Sequence, residues 1–432
     1  MILNIKSQRY VDSTSMHIGI IGPIATADIA HLLGGDVVGL PPGYAGGPLL
    51  ATLIGELLRR GYRVSAFTLS RELPLKRDAS VTAHGENFSI TYSPMRPRAW
   101  QPNGWLPGRI VDLFRFERQA LKHAITRAAP DVIHAHWAYE FALAAVGSKI
   151  PHVVTCHDSP YTIARLASRS RPTISVYRWL RVLMARKALR EAQCVTAVSP
   201  YMRDEVQSIT TARIAVVPNP VDDLAFTLAR QRKAPEMPRL AMVCNGWGIW
   251  KNPQPALMAF AKLRISRPDA ELHLYGHDFG AGEAAESWCA QNGISDGLVF
   301  HGSVPHHRLL QSLAEFDLLL HPSLEESFGM VIAEAMAMGL PVVAGDSSGA
   351  VPWVVGETDG LCNVRSPEAI LQSLMKVLES GQYARLSSTG MSAAFARFST
   401  VKIVDRFYEL YEQVLPPHAN HTRQPLKSGA IT

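Results

Sequence analysis

Near its C-terminal end the chain reads His321-Pro-Ser-Leu-Glu-Glu-Ser-Phe-Gly-Met-Val-Ile-Ala-Glu-Ala-Met-Ala-Met-Gly-Leu-Pro-Val-Val-Ala-Gly345. From Met330 onward this run holds one charged residue, Glu334. A lone carboxylate in an apolar segment is costly to bury without partners. Glu326 stands eight positions earlier in a polar lead, which we interpret as a loop before a helix. The run therefore predicts a loop carboxylate and a helix carboxylate on one βα unit.

The spacing of the two glutamates indicates an elongated polar ligand. Eight residues of helix rise about 12 Å, so two such carboxylates can grip the two ends of one molecule. Between them lie Phe328, Gly329 and Met330. Their N–H groups would open the helix, where unpaired amides and the positive end of the dipole favour an anion. A carboxylate, an anion cradle and a second carboxylate suit a sugar, a diphosphate and a ribose.

This segment resembles the signature of the retaining glycosyltransferases of family 4, in which two glutamates are separated by seven residues. The matching residues are Ser323-Leu-Glu-Glu326-Ser-Phe-Gly329, then Glu334-Ala, then Gly339-Leu-Pro-Val-Val343. The resemblance implies the GT-B fold, with two Rossmann-like, doubly wound parallel-sheet domains facing a central cleft. It also implies transfer of a hexosyl unit from a nucleoside-diphosphate sugar with retained configuration. The alternative is a buried αβ unit in which Glu334 pairs with an arginine from elsewhere.

Length and composition agree with a globular enzyme. The chain has 432 residues, which suits two domains, and 47% of them are hydrophobic. The sequence contains no run of 18 uncharged apolar residues, so no membrane-spanning helix is predicted. The N-terminal residues lack the pattern of a signal peptide. The five cysteines are scattered and form no Cys-x-x-Cys. This pattern favours a reducing cytoplasm over a disulfide framework or a zinc site.

Positive charge is concentrated in the first half. Residues 1–230 hold 27 Lys and Arg against 17 Asp and Glu, a net charge of +10, although the whole chain carries +6. Arg165 to Arg190 contains eight basic residues and no acidic one, interleaved with apolar and aromatic side chains. This stretch is either a solvated helical face or an interfacial helix on an anionic membrane. We therefore expect an anionic partner, such as a lipid-linked acceptor or lipid headgroups. No nucleic-acid motif accompanies the charge.

Apolar runs alternate with helical patterns, which predicts βαβ units and parallel sheets. The predicted strands are His17–Gly22, Tyr62–Thr68, Ser89–Tyr92, Val132–His134, His152–Cys156, Cys194–Val198, Ile214–Val217, Leu240–Cys244, Glu271–Tyr275, Leu298–His301, Leu318–His321 and Pro341–Ala344. We predict an acceptor-side domain over residues 1–222, a linker over 223–239 and a nucleotide-sugar domain over 240–396. Helix 397–415 would complete the first domain, and 416–432 would form a disordered tail.

Two motifs in the first half resemble cleft positions of the family. Gly46-Gly47 precedes a predicted helix, where the family has a donor-contacting Gly-Gly loop; a flexible turn is the alternative. The segment Val132 to His136 resembles a strand end carrying His-x-His. The resemblance gives His136 a contact with the transferred sugar and the acceptor. Two histidines satisfied by backbone groups would look the same in the sequence.

Further motifs in the second half match the family's donor side. Lys251 fits a lysine that clamps the diphosphate, although a surface lysine beside a turn is the alternative. The arginine usual in that loop is absent, and Gly246 and Trp247 stand in its place. Val304 lies in a loop that holds the nucleotide base through backbone groups in the family. Trp353 replaces a usual glutamate, and the sequence gives no reason for it.

The resemblance assigns a role to each donor-side group. Glu334 would hold the ribose, and Glu326 would hold the transferred sugar. Lys251 and the loop Ser327–Met330 would hold the diphosphate, so that Glu326, His136 and Lys251 serve catalysis. With this clamp neither a metal nor a cofactor is expected. The rivals are a nucleotide-sugar epimerase or phosphorylase on the same architecture and a non-catalytic nucleotide-binding partner. A pyridoxal-phosphate lysine site would mark the phosphorylase, and none is seen.

Overall fold

The computed structural model describes residues 16–35, 37–76, 78–167 and 172–416. Its strands are β1 His17–Ile21, β2 Arg63–Ser70, β3 Val81–Gly85, β4 Phe88–Pro94, β5 Val132–His136, β6 His152–Cys156, β7 Cys194–Ala197, β8 Ile214–Val216, β9 Arg239–Val243, β10 Glu271–Tyr275, β11 Leu298–Gly302, β12 Leu318–His321, β13 Val342–Gly345 and β14 Leu361–Cys362. Its helices are α1 Thr26–Ile29, α2 Leu49–Arg59, α3 Arg115–Ala128, α4 Glu140–Ser148, α5 Pro160–Ala167, α6 Pro172–Glu191, α7 Pro200–Gln207, α8 Asp223–Thr227, α9 Pro253–Ser266, α10 Ala284–Gln291, α11 His306–Leu313, α12 Met330–Ala337, α13 Val351–Val355, α14 Pro367–Val377, α15 Ser380–Phe398 and α16 Thr400–Val414, with a short 3₁₀ turn at Ala30–Leu32.

The strands form two sheets. The first has eight strands in the order β3-β4-β2-β1-β5-β6-β7-β8, and the second has six in the order β11-β10-β9-β12-β13-β14. The strand pairs of the second sheet are parallel, from β10 beside β11 to β13 beside β14. Their apolar side chains are buried as continuous runs, because helices connect successive parallel strands and cover the sheet. The prediction of two parallel-sheet α/β domains is confirmed.

Two strands escape the sequence prediction. β3 reads Val-Thr-Ala-His-Gly, is mostly exposed and pairs antiparallel with β4 at the edge of its sheet. β14 is only two residues long. Neither presents the apolar run that marks a buried strand. β5 extends two residues beyond its predicted end, so His134 and His136 both lie within the strand.

The chain divides into two compact units. The first holds the residues up to His136, Glu140–Val153 and those from Leu410 onward; the second holds Trp137–Tyr139 and Val154–Glu409. An apolar core surrounds the six-stranded sheet of the second unit, with Leu240, Phe260 and Leu272 among its fully buried members. The predicted domain boundaries stay a prediction, and the predicted tail beyond 416 lies outside the described residues. Among the helices that the structure describes, none is long and apolar enough to cross a membrane.

Candidate active site

An ion pair joins two loops at one edge of the second sheet. Lys251 follows β9 and Glu326 follows β12, and these strands are parallel neighbours, so their C-terminal ends lie side by side. Lys251 Nζ donates to Glu326 Oε1 at 2.6 Å. The two side chains remain 30% and 16% exposed. Open α/β sheets bind ligands at this edge, so the pair is positioned to meet one.

Backbone bonds fix the geometry of that pair. The Leu324 N–H donates to the Trp250 carbonyl at 2.8 Å, which ties the glutamate loop to the lysine loop. Next to Lys251, the Asn252 amide donates to the Pro322 carbonyl at 3.1 Å and to the Val364 carbonyl at 2.8 Å. Both loops are therefore anchored through residues adjacent to the ion pair.

His321 joins this pair although the sequence analysis gave it no role. Its Nε2 lies 3.3 Å from Glu326 Oε1. Burial alone would raise the pKa of Glu326, but the His321 imidazole and the Lys251 ammonium outweigh burial and hold that pKa well below its ordinary value. Burial likewise opposes the charge of Lys251, yet the Glu326 carboxylate raises the pKa of that amine. Both groups are therefore charged at neutral pH. The only sequence signal for His321 is its place at the last residue of a buried strand.

The second carboxylate lies where the sequence predicts it, on the apolar helix α12. The helix begins at Met330, and Gly329 caps it with φ of 89°, a left-handed conformation that glycine adopts without strain. Glu334 is only 2% exposed. Its Oε1 lies 2.8 Å from His306 Nε2, at the start of α11. Within the described residues the side-chain partner of Glu334 is therefore an imidazole, and no arginine pairs with this carboxylate there.

The loop that leads into α12 is held from two sides. Ser199 Oγ donates to the Ser327 carbonyl at 2.7 Å, while the same oxygen accepts the Met202 N–H and caps α7. On the other side the Ala350 N–H donates to the Glu326 carbonyl at 2.9 Å. Two carbonyls of this loop, those of Glu326 and Ser327, are therefore hydrogen-bonded to residues outside the loop. The amides at the start of α12 have no partner within the helix itself, as at every helix N-terminus.

The place of the missing arginine is filled by a glycine turn and an aromatic cluster. Gly246 has φ of 100°, and its N–H donates to the His277 carbonyl at 3.0 Å. The Trp247 N–H donates to Asp278 Oδ2 at 2.8 Å. The Trp247 ring packs 5.7 Å from the rings of Phe279 and Trp288. A long side chain at position 246 would sit on strained backbone, and Trp247 contributes packing in place of charge.

Trp353, which the sequence analysis leaves unexplained, packs against Phe328 in the loop that leads into α12. Its ring meets the rings of Phe328 and Phe398 edge to face, with centroids 6.4 and 6.1 Å away. The Arg397 guanidinium lies 4.6 Å from the Trp353 ring centroid, and it also donates to the Trp353 carbonyl at 2.8 Å. Phe328, in the predicted anion cradle, is thereby fixed by an aromatic stack. Where the resemblance leads one to expect a glutamate, this chain therefore has a tryptophan that contributes aromatic packing.

The remaining predicted residues of the first half belong to the first unit. Gly46 is exposed with φ of 141°, and the Gly47 carbonyl accepts the Leu50 N–H at the start of α2. His136 is buried, and its ring centroid lies 4.0 Å from that of His134. His134 Nδ1 lies 2.7 Å from the Tyr411 hydroxyl of α16. The structure thus brings together Lys251 with Glu326 in one unit, and the His-x-His pair with Tyr411 in the other.

Val304 is half-buried in the loop between β11 and α11, two residues before His306. The sequence analysis singled out Val304 and passed over His306, because a histidine at the start of a helix carries no distinct signal. The contact between His306 and Glu334 spans 28 residues of sequence. Only the fold reveals it.

Two family models match successive parts of the chain. The family model described as Glycosyltransferase Family 4 matches residues 48–223, and the model described as Glycosyl transferases group 1 matches residues 226–391. The chain is 26% identical over 308 residues to N-acetyl-alpha-D-glucosaminyl L-malate synthase of Bacillus anthracis, covering 67% of this chain and 76% of the relative.

Two solved structures share the fold. Sucrose-phosphate synthase from Thermosynechococcus elongatus superposes with a TM-score of 0.70 and 18% identity, over 92% of this chain and 99% of that one. Anabaena HepE, solved in complex with UDP-glucose, gives a TM-score of 0.61 and 18% identity, over 92% of this chain and all of the other.

Proposed function

We propose that this chain, which belongs to glycosyltransferase family 4, moves a hexosyl unit onto an acceptor. The proposed acceptor is a cell-envelope, exopolysaccharide or lipid-linked molecule. The membership confirms the predicted family and the GT-B fold. The chain is a retaining glycosyltransferase that uses a nucleotide sugar. One observation carries the assignment of its donor site: the ion pair of Lys251 with Glu326, beside the helix that holds Glu334.

The proposed roles follow the charges of the site. Glu334 accepts hydrogen bonds from the ribose hydroxyls, and Glu326 accepts them from the transferred sugar. Lys251 and the amides of Phe328–Met330 face the diphosphate. As the bond between the anomeric carbon and the phosphate oxygen breaks, negative charge grows on the leaving group. A fixed ammonium and fixed amides stabilise that charge without reorganising, which is the kind of preorganised electrostatics that lowers barriers most.

The same face of the sugar then receives the acceptor. The acceptor hydroxyl oxygen bonds to the anomeric carbon, and its proton passes to the oxygen of the departing diphosphate, so the configuration is retained. His136 and the Gly46-Gly47 turn are proposed to contact the sugar and the acceptor. Glu326 binds hydroxyls in this scheme and forms no covalent intermediate, unlike the nucleophilic carboxylate of a retaining hydrolase.

The acceptor is proposed to be anionic or to lie at an anionic surface. The first 230 residues carry a net charge of +10, and the Bacillus relative is named for an acidic acceptor, malate. On α6, Val176, Trp179 and Leu183 are exposed on one face, and Lys187 and Arg190 continue that face. Exposed apolar side chains followed by basic ones suit an anionic bilayer. Co-sedimentation with vesicles of anionic and of neutral lipid tests this, and binding indifferent to lipid charge removes it.

Release of free nucleoside diphosphate from UDP-, GDP- and ADP-sugars tests the donor site, with binding of each nucleotide measured alongside. We expect one donor to be turned over by the wild type and lost in Glu334→Ala. Glu368→Ala, which removes an exposed carboxylate paired with Lys262 on the surface, is the matched control and should keep activity. Equal activity of Glu334→Ala and wild type would refute the assignment, and a wild type that neither releases nor binds any nucleotide would remove the function.

A further inference from the structure

We propose that His306 orients Glu334 and thereby makes the site selective for donors with an intact ribose, an inference that rests on the proposed function. Glu334 is almost fully buried in the middle of an apolar helix. Among the described residues, His306 is the side chain that hydrogen-bonds its carboxylate, at 2.8 Å. A buried carboxylate with one partner has its rotamer set by that partner. His306 is therefore a positioning residue for Glu334.

The contact depends on the fold and uses one of the acceptor positions of the carboxylate. Pro305 fixes the backbone just before His306, with φ of −57°, and His306 then opens α11. In the proposed arrangement the imidazole carries its proton on Nε2 and donates it to Oε1, across the 2.8 Å contact. A carboxylate has about four acceptor positions on two oxygens. We assign the remaining positions to two neighbouring hydroxyl groups, which is what the 2′ and 3′ positions of a ribose offer.

The chemistry of the partner matters as much as its position. Lysine or arginine at this place would bring a permanent positive charge against Glu334, as Lys251 does against Glu326. An imidazole can donate one hydrogen bond while neutral. A carboxylate held in that way has no permanent cation competing with a diol for its oxygens. His306 is also 30% exposed, so it borders the solvent from which a nucleotide would arrive.

The test measures binding of UDP, GDP and ADP and of their 2′-deoxy counterparts by calorimetry, followed by donor kinetics. The variants are His306→Ala, His306→Gln and, as the matched control, His307→Ala at the exposed neighbouring histidine. We expect His306→Ala to weaken binding of the preferred ribonucleotide about tenfold and of its deoxy form less than about twofold. The reason is that a misplaced Glu334 loses its hydrogen bonds to the diol, and the deoxy form does not offer the full diol. The donor KM should rise with kcat unchanged. His306→Gln, which keeps an N–H donor, should recover most of the affinity.

Several results would overturn the inference. Equal losses for the ribose and deoxyribose forms would mean that His306 acts on the fold and not on the diol. Unchanged affinity in His306→Ala, or the same loss in His307→Ala, would remove the positioning role. If His306→Ala does not fold, His306→Asn, whose amide is too short to reach Oε1, takes its place against His306→Gln. A wild type that binds none of the three diphosphates would instead remove the proposed function, and this inference with it.

Discussion

Glu326 and Glu334 are eight residues apart, yet their surroundings are opposite. Glu326 lies in a loop with an ammonium 2.6 Å away and an imidazole at 3.3 Å. Glu334 lies inside an apolar helix with an imidazole 2.8 Å away. Glu326 belongs to a cluster of charged groups and stays ionised. Glu334 is a hydrogen-bond acceptor placed by His306, an imidazole that can donate while it is neutral. If the proposed roles hold, the two ends of the donor are recognised differently, by charge at the sugar and diphosphate and by hydrogen-bond geometry at the ribose.

Replacing Lys251 with methionine removes the ammonium beside Glu326, and this change should lower kcat/KM more than the other variants compared below. We expect kcat/KM to fall by roughly a hundredfold or more, the cost of removing one preorganised group from a developing charge. Gly246 and Trp247 supply no cation that could compensate. The loss should exceed the roughly tenfold loss expected for His306→Ala. Steady-state release of nucleoside diphosphate measures both.

Lys262→Met is the matched control for that variant. Lys262 lies on α9 and pairs with Glu368 on the surface, so its removal should leave kcat/KM within about twofold. An activity of Lys251→Met close to that of Lys262→Met would break the comparison, because the ammonium at Glu326 would then be structural. Lys251→Arg keeps the charge, and it should recover more activity than methionine does.

Acid should destabilise the fold while the charged pair persists. Burial, aided by the nearby Arg63, lowers the pKa of His17 to about 4, and burial lowers the pKa of His157 to about 3, against an opposing hydrogen bond from Asn219. Since the unfolded chain binds these protons near pH 6.5, their contribution to stability is complete above that pH and is lost as pH falls toward 4 and 3. From pH 7.5 to 5.5 the two should cost roughly 2 kcal/mol.

Urea denaturation at several pH values measures this loss. A variant His17→Gln, which removes one titrating group, should show a shallower dependence on pH than the wild type. His84→Gln at an exposed position of β3 is the control and should follow the wild type. A free energy of unfolding that is constant from pH 7.5 to 5.5 would contradict the assignment of neutral, buried imidazoles. The experiment also sets the pH range in which activities at the two carboxylates can be compared.

The fold could be predicted from the sequence because its signals are local. The apolar runs give most of the strands, and Leu318–His321 and Glu271–Tyr275 are predicted at their observed bounds. β3 could not be predicted, because an exposed edge strand needs no apolar run.

The site divides in the same way. Glu326, Glu334 and Lys251 stand in motifs, whereas His306 becomes a partner only when distant loops meet. His321 lies close to Glu326 in the sequence, but no motif marks it as a partner. Trp353 and Trp247 were visible in the sequence as departures from a pattern. Their packing against Phe328 and Phe279 is a property of the folded core.

Ser199→Ala should have the smallest effect and should separate the two carboxylates. Ser199 caps α7 and also donates to the Ser327 carbonyl, next to Glu326, while it has no recorded contact with Glu334 or His306 among the described residues. Loss of the cap should lower the free energy of unfolding by about 1 kcal/mol. Loosening of the Glu326 loop should lower kcat by about threefold, a cost of well under one hydrogen bond. Affinity for the nucleoside without its phosphates should not change, because Ser199 holds the loop proposed to bind the diphosphate and leaves the ribose end untouched.

Ser208→Ala, at the exposed other end of the same helix, is the control for that variant, and Ser199→Thr should restore both properties because it keeps the hydroxyl. If Ser199→Ala weakens nucleoside binding as much as it lowers kcat, the two carboxylates respond to one loop as a unit, and the division between a charged end and a geometric end fails. If only kcat falls, the loop serves Glu326 alone. Glu334 then depends on its own helix and on His306.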